Sequence, residues 1–155
     1  LLWRKHQNQP QWEATDQIID KWLHERQALL VQYYAVCNLN PDTDGSFEPE
    51  RLQEFCESLV DYVSAGHFEV FEKLADASAL SNAEEIKWDR EDLVQILRTT
   101  MHALDFNDKY SDNTFKKSLH NDLSFLGEQL SHRLDLEDKL ITSYLKATHK
   151  LSELS

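Results

Sequence analysis

The residues with the most chemistry to offer are seven histidines, twenty-eight carboxylates and two cysteines. A carboxylate–histidine metal centre in a helical scaffold needs Glu-x-x-His units on two helices, with further Glu residues facing them. His102, Asp105, His120, Glu128 and His132 are available, but no Glu-x-x-His unit occurs. Glu128 and His132 are four residues apart and share a helix face, the spacing of a solvated pair rather than of a ligand set. His24 and Glu25 are adjacent and unremarkable. No metal and no other cofactor is expected. Nucleophilic catalysis lacks its parts as well. There is no G-x-S-x-G elbow, and three glycines in total leave no phosphate-cradling loop. Cys37 and Cys56 lie among apolar neighbours, form no CxxC unit and have no electropositive neighbours to make a reactive thiolate. Buried free thiols in a reducing compartment are expected, with a disulfide between them as the alternative. No catalytic residue is assigned, and the chain is read as a non-enzyme.

The bulk properties agree. A length of 155 residues suits one domain with one core. Hydrophobic residues make up 41% and charged residues 28%, the balance of a water-soluble globular protein. The formal net charge of −12 repels nucleic-acid phosphates and anionic membrane surfaces, and attracts basic proteins. Lys116–Lys117 is an isolated basic doublet, so direct nucleic-acid binding is not expected. No apolar run approaches the roughly 20 residues that span a membrane, and no signal peptide is apparent, so a cytoplasmic location is expected.

Three Gly and three Pro in this length favour long helices. Residues 1–14 read as an N-terminal arm or short helix carrying Trp3 and Trp12, and residues 15–155 as a single helical domain. The first helix is expected from Thr15 or Asp16, either of which can serve as an N-cap, with Ile18, Ile19, Trp22, Leu23, Leu29, Leu30, Tyr33, Tyr34 and Val36 at helical spacing. NLNPDTDGS (38–46) reads as a loop. The second helix opens around Phe47 to Glu50 and runs to about Leu74. Gly66 in its middle marks either a kink or a close helix–helix approach. The third is expected from about Asn82 to Asp105, with Ile86, Leu93, Ile96, Leu97, Met101 and Leu104 as its buried stripe. FNDKYSDN (106–113) reads as a break. The fourth starts near Asp112 or Thr114 and reaches about Leu151. The architecture expected is all-α: an antiparallel four-helix-type bundle of long helices open to kinking.

One segment invites a functional reading. From Glu54 through FCESLVDYVSAGHFEVFE (55–72), Glu54, Asp61, Ala65, Phe68 and Glu72 follow at offsets of seven, four, three and four. They draw one line along a helix, opposite the core stripe, with Glu57 and Ser58 beside it. An outward Phe among carboxylates resembles an interface, in which an apolar anchor gives burial and charge gives steering. The pattern alone fits equally a solvated acidic face with one stray aromatic. His67 falls towards the core side, where a hydrogen bond to Glu137 or Asp138 on another helix is its expected role.

The blocks IDKWLHERQALLVQYY (19–34), LQEFCESLVDYVSAGHFEVFEKL (52–74) and LDLEDKLI (134–141) resemble, in order and spacing, the Rsd/AlgQ family of regulators of the primary sigma factor. The likeness covers roughly residues 15–147. It implies a monomeric anti-sigma protein that binds region 4 of the housekeeping sigma factor. Such binding blocks docking on core RNA polymerase and reading of the −35 promoter element. It also implies an alternative role, binding the phosphocarrier HPr and stimulating an alarmone hydrolase. Carried onto this sequence, the sigma-contacting surface would be Glu54, Glu57, Asp61, Ala65, Phe68 and Glu72. Arg26, Tyr62, His67 and Glu137 are the candidates for a structural polar core, with Glu137 as the acidic partner that a buried Arg26 would need. The arm LLWRKHQNQPQW and the loop before Pro49 depart from the family pattern.

Overall fold

Pro10 and Pro49 each stand at the first position of a helix, where a missing N–H costs nothing and a fixed φ is already helical. The computed structural model describes residues 10–38, 48–65, 90–112 and 114–154, and the side chains of 17–38, 48–65, 91–112 and 114–145. Among the described residues there are four helices and no strand: α1 (Pro10–Cys37), α2 (Pro49–Ala65), α3 (Arg90–Tyr110) and α4 (Leu119–Leu154). The first helix thus begins upstream of the expected Thr15 or Asp16 and takes in the last five residues, 10–14, of the sequence read as an arm. The expected continuation of the second helix past Ala65, Gly66 included, lies outside the described residues.

Each described helix packs antiparallel on the next described one, and α1 meets α4 along a narrower seam. The pairings show the direction: Tyr33 lies on Phe55, Phe55 on Phe106, and Phe106 beside Tyr110, with ring centroids 5.9, 5.9 and 4.7 Å apart. These rings tie α1, α2 and α3 together at one end of the bundle. α4 buries Leu119, Leu123, Leu126, Leu130, Arg133, Glu137, Leu140 and Tyr144. That is an unbroken alternation of four and three, the period of a coiled-coil-like stripe. Where α1 crosses α4, the Tyr33 hydroxyl donates to the Leu123 carbonyl at 2.8 Å. A Cβ on Gly127 would overlap that hydroxyl, so the crossing requires glycine.

Two expectations are corrected. The segment 106–113 is not a break at its start, because α3 continues to Tyr110. Asn107, Asp108 and Lys109 face partly or wholly outward, while Phe106 and Tyr110 are buried. Tyr110 donates to Asp122 Oδ2 at 2.6 Å, anchoring the end of α3 to the first turn of α4. The chain turns at residues 111–112 and again at 117–118. There Asp112 accepts the Thr114 N–H at 3.2 Å and a Lys116 Nζ–H at 3.0 Å, and α4 starts at Leu119 rather than at Asp112 or Thr114. The buried stripe of α3 also differs in part: Ile96 is buried and Leu93 half-buried as expected, and Ile86 lies outside the described residues, but the rest differs in phase. Asp92, Ile96, Thr99, Ala103, Phe106 and Tyr110 face the core, whereas Leu97, Met101 and Leu104 are exposed.

Candidate partner-binding face

The site follows from the two faces of α2. Leu52, Phe55, Cys56, Leu59, Tyr62 and Val63 are buried against the bundle. The remaining positions carry the acidic line outward: Glu54, Glu57 and Asp61 are exposed, and Ala65 is half-buried at the edge towards α1. Phe68 and Glu72, which continue the line in the sequence, lie outside the described residues, as does His67. Glu57 accepts from Gln53 at 3.2 Å within the helix, which leaves its charge on the surface.

Between α1 and α2 runs a groove of about 580 Å³, lined on one side by Lys21, Glu25, Ala28 and Leu29 and on the other by Ser58, Asp61, Tyr62, Ser64 and Ala65. The small residues Ala28, Ser58, Ser64 and Ala65 leave the space. Asp61 and Glu25 put carboxylates on its walls, the latter 3.7 Å from Lys21 Nζ. This arrangement can take an apolar or basic side chain from a protein partner. It offers no nucleophile with an adjacent base.

Tyr62 at the floor of the groove leads into a buried polar cluster. Its hydroxyl donates to Glu137 Oε1 at 2.5 Å. Arg133 Nε donates to Glu137 Oε2 at 2.8 Å, and Arg133 Nη1 donates to Thr100 Oγ1 at 2.6 Å, Thr99 Oγ1 at 3.1 Å and the Ile96 carbonyl at 3.3 Å. Arg26 Nη1 donates to Asp138 Oδ1 at 2.8 Å and stands 3.7 Å from Glu137. α1, α2 and α4 therefore meet at one carboxylate, and α3 joins the cluster through Arg133. Arg133 and Glu137 have no exposed surface. Burial raises the Glu137 pKa, opposed first by the Arg133 charge and then by the Tyr62 hydrogen bond. Burial, then the Glu137 charge, raises that of Tyr62. Arg133 Nη2 is buried without a hydrogen-bond partner among the described residues.

Arg26, Tyr62 and Glu137 thus converge. Arg133, the centre of the cluster, was missed from sequence. Its signal was available: Arg133 and Glu137 are the two charged positions in the four-three stripe of α4, and they are four residues apart.

The other chemical candidates do not assemble. Among the described residues no three His, Cys, Asp or Glu side chains converge as a metal site requires. His132 Nε2 lies 2.6 Å from Gln95 Oε1, and the His102 ring meets the edge of Phe125. Cys37 and Cys56 are free thiols, and burial pushes the Cys56 thiol up to about 11. No described helix is long and apolar enough to cross a membrane.

Comparison with known proteins identifies the family. The family described as "Regulator of RNA polymerase sigma(70) subunit, Rsd/AlgQ" matches residues 1–145. Proteins named "Regulator of sigma D" from Escherichia coli (strain K12 / DH10B) and from Shigella boydii serotype 18 are each 35% identical to this chain. The similarity covers 86% of this chain and 87% of each relative. An all-helical bundle with an acidic outward helix face, matched over nearly its whole length, belongs to the Rsd/AlgQ family of regulators of the RNA polymerase sigma(70) subunit.

Proposed function

We propose that this chain is an anti-sigma protein that holds region 4 of the primary sigma factor on the acidic face of α2 and in the adjoining α1/α2 groove. The observation that carries this reading is the outward line Glu54, Glu57 and Asp61 beside a groove with carboxylates on both walls. Region 4 reads DNA through a basic helix-turn-helix, so an acidic face complements it in charge. Ala65 lines the groove, and in the sequence Phe68 and Glu72 continue the helical line, with Phe68 as the apolar anchor of the proposed contact. Occupying region 4 keeps it from core polymerase and from the −35 element. The chain acts by binding, without a catalytic step, and works where the polymerase does, in the cytoplasm. No described feature favours the alternative of an HPr adaptor.

The test is titration of labelled sigma region 4 with the wild-type chain and with Asp61→Lys. Reversing one charge at the centre of the face is expected to weaken binding by about tenfold or more, a cost of about 1.4 kcal/mol or above. Thermal unfolding should be unchanged, since Asp61 is exposed. Unaltered affinity in the combined Asp61→Lys, Phe68→Ala, Glu72→Lys chain would remove this face from the account while leaving sigma binding itself intact.

A further inference from the structure

The face of α3 that points away from the core is apolar where a solvent-facing helix is ordinarily polar. Val94, Leu97, Met101 and Leu104 follow one another at three, four and three, and are 40, 46, 58 and 38% exposed. A single exposed apolar side chain needs no partner, but four in one row on one helix make a contiguous patch. Their spacing is that of a coiled-coil seam, set opposite the seam that α3 already gives to the bundle.

The charges beside this row identify what fits it. Arg98 and Asp105 lie on the same flank of the stripe, both exposed, and neither forms an ion pair with a described residue. Seven residues of helix separate them by about 10 Å, too far to pair within one helix. In an antiparallel pair of identical helices, matching flanks face each other and run in opposite directions. Arg98 of each copy then meets Asp105 of the other when Met101 lies close to the twofold axis. In that same register Leu97 packs on Leu104 of the second copy, and Leu104 on its Leu97. One arrangement therefore covers the apolar row and pairs both charges twice.

We propose that two copies of this chain associate through α3, antiparallel, about a twofold axis near Met101. The contact is isologous, so it closes at a dimer. A single helix laid on a single helix falls at or below the small end of specific interfaces, about 1,200 Å² in total, so the dimer is weak and forms at high protein concentration. This proposal stands apart from sigma binding, which uses another helix.

Sedimentation velocity of the full chain, from low micromolar to millimolar concentration, tests it. The wild type is expected to pass from monomer to dimer, and less readily at high salt. Arg98→Asp alone and Asp105→Arg alone should each weaken association by about fivefold or more, and the double exchange should restore it. Leu97→Gln with Met101→Gln should abolish it, with an unchanged far-UV melting curve showing that the fold is kept. A wild-type chain that stays monomeric at millimolar concentration overturns the proposal, as does a double exchange that fails to recover. Loss of sigma region 4 binding by the Leu97→Gln, Met101→Gln chain, with self-association intact, also overturns it, because the face would then belong to that partner.

Discussion

Arg133 is a cation with no exposed surface, and its neighbours are arranged around that fact. Removing it would leave Glu137 buried against Tyr62 with only Arg26 nearby, at 3.7 Å. Arg133→Met is expected to cost about 3–5 kcal/mol, the penalty of stranding one partner of a buried pair. Arg133→Met with Glu137→Leu should recover most of that loss. Urea unfolding of the two variants measures both numbers. If the double variant were no more stable than the single one, the stranded carboxylate would not be the cause. Gly127 makes the opposite point. Alanine raises helix propensity by about 1 kcal/mol, yet here the added Cβ meets the Tyr33 hydroxyl and ring. Gly127→Ala should therefore lower stability by about 1–3 kcal/mol, as overpacking does. A Tyr33→Leu background should relieve the loss, and thermal melts would show a gain instead if the crossing could simply open.

At the scale of elements, α3 shows why apolar identity is a poor guide to the buried face. Phe106 sits in a segment rich in Asn, Asp, Lys and Ser, yet it is buried between Phe55 and Tyr110. Phe106→Ala should cost about 3–5 kcal/mol, whereas Leu97→Gln on the exposed row should change monomer stability by less than about 0.5 kcal/mol. Denaturant midpoints of the two variants decide it, and similar losses would place the stripe where the sequence first put it. The α3–α4 connection adds a pH dependence. The Lys116 hydrogen bond, helped by Thr114, holds the Asp112 pKa down to about 2 from the ordinary 3.8. Burial acts to raise Asp122, but Lys109 and Tyr110 outweigh it and hold that group below its ordinary value too. Both carboxylates favour the folded connection when ionised. The contribution of Asp112 is present above about pH 4 and is lost as pH falls towards 2, and that of Asp122 is likewise lost on acidification. Tyr110 behaves in the opposite sense. Burial and its bond to Asp122 push it up to about 12 from 10.0, so its contribution is full below pH 10 and is lost as pH rises towards 12. NMR titration of the Asp112 carboxyl and tyrosinate absorbance measure the two limbs. An Asp112 midpoint near 3.8 would remove the first.

At the scale of the whole molecule, a net charge of −12 acts on any basic partner before contact. Raising salt from about 0.1 M to about 1 M shortens the screening length from about 10 Å to about 3 Å. The rate of association with sigma region 4 should fall by about tenfold or more over that range, with a smaller change in dissociation. Stopped-flow mixing measures this, and a salt-independent rate would take steering out of the mechanism. Much of the molecule was legible in the chain. The helical period, the scarcity of Gly and Pro and the outward placing of Glu54, Glu57 and Asp61 on α2 are all local properties, written in residue type and spacing. The blocks around residues 19–34, 52–74 and 134–141 carried the family as well. What the chain alone could not decide was phase and pairing. The apolar residues of α3 form a second stripe, and which stripe turns inward depends on α2 and α4, which select Ile96, Ala103 and Phe106 and leave Leu97 and Met101 outside. Likewise Arg133 reads as a solvated charge until α2 and α3 bring Tyr62, Thr99 and Thr100 around it and around the Glu137 of its own helix. Periodicity is set within a helix, but burial is a property of its neighbours, and only the assembled bundle determined where they stand.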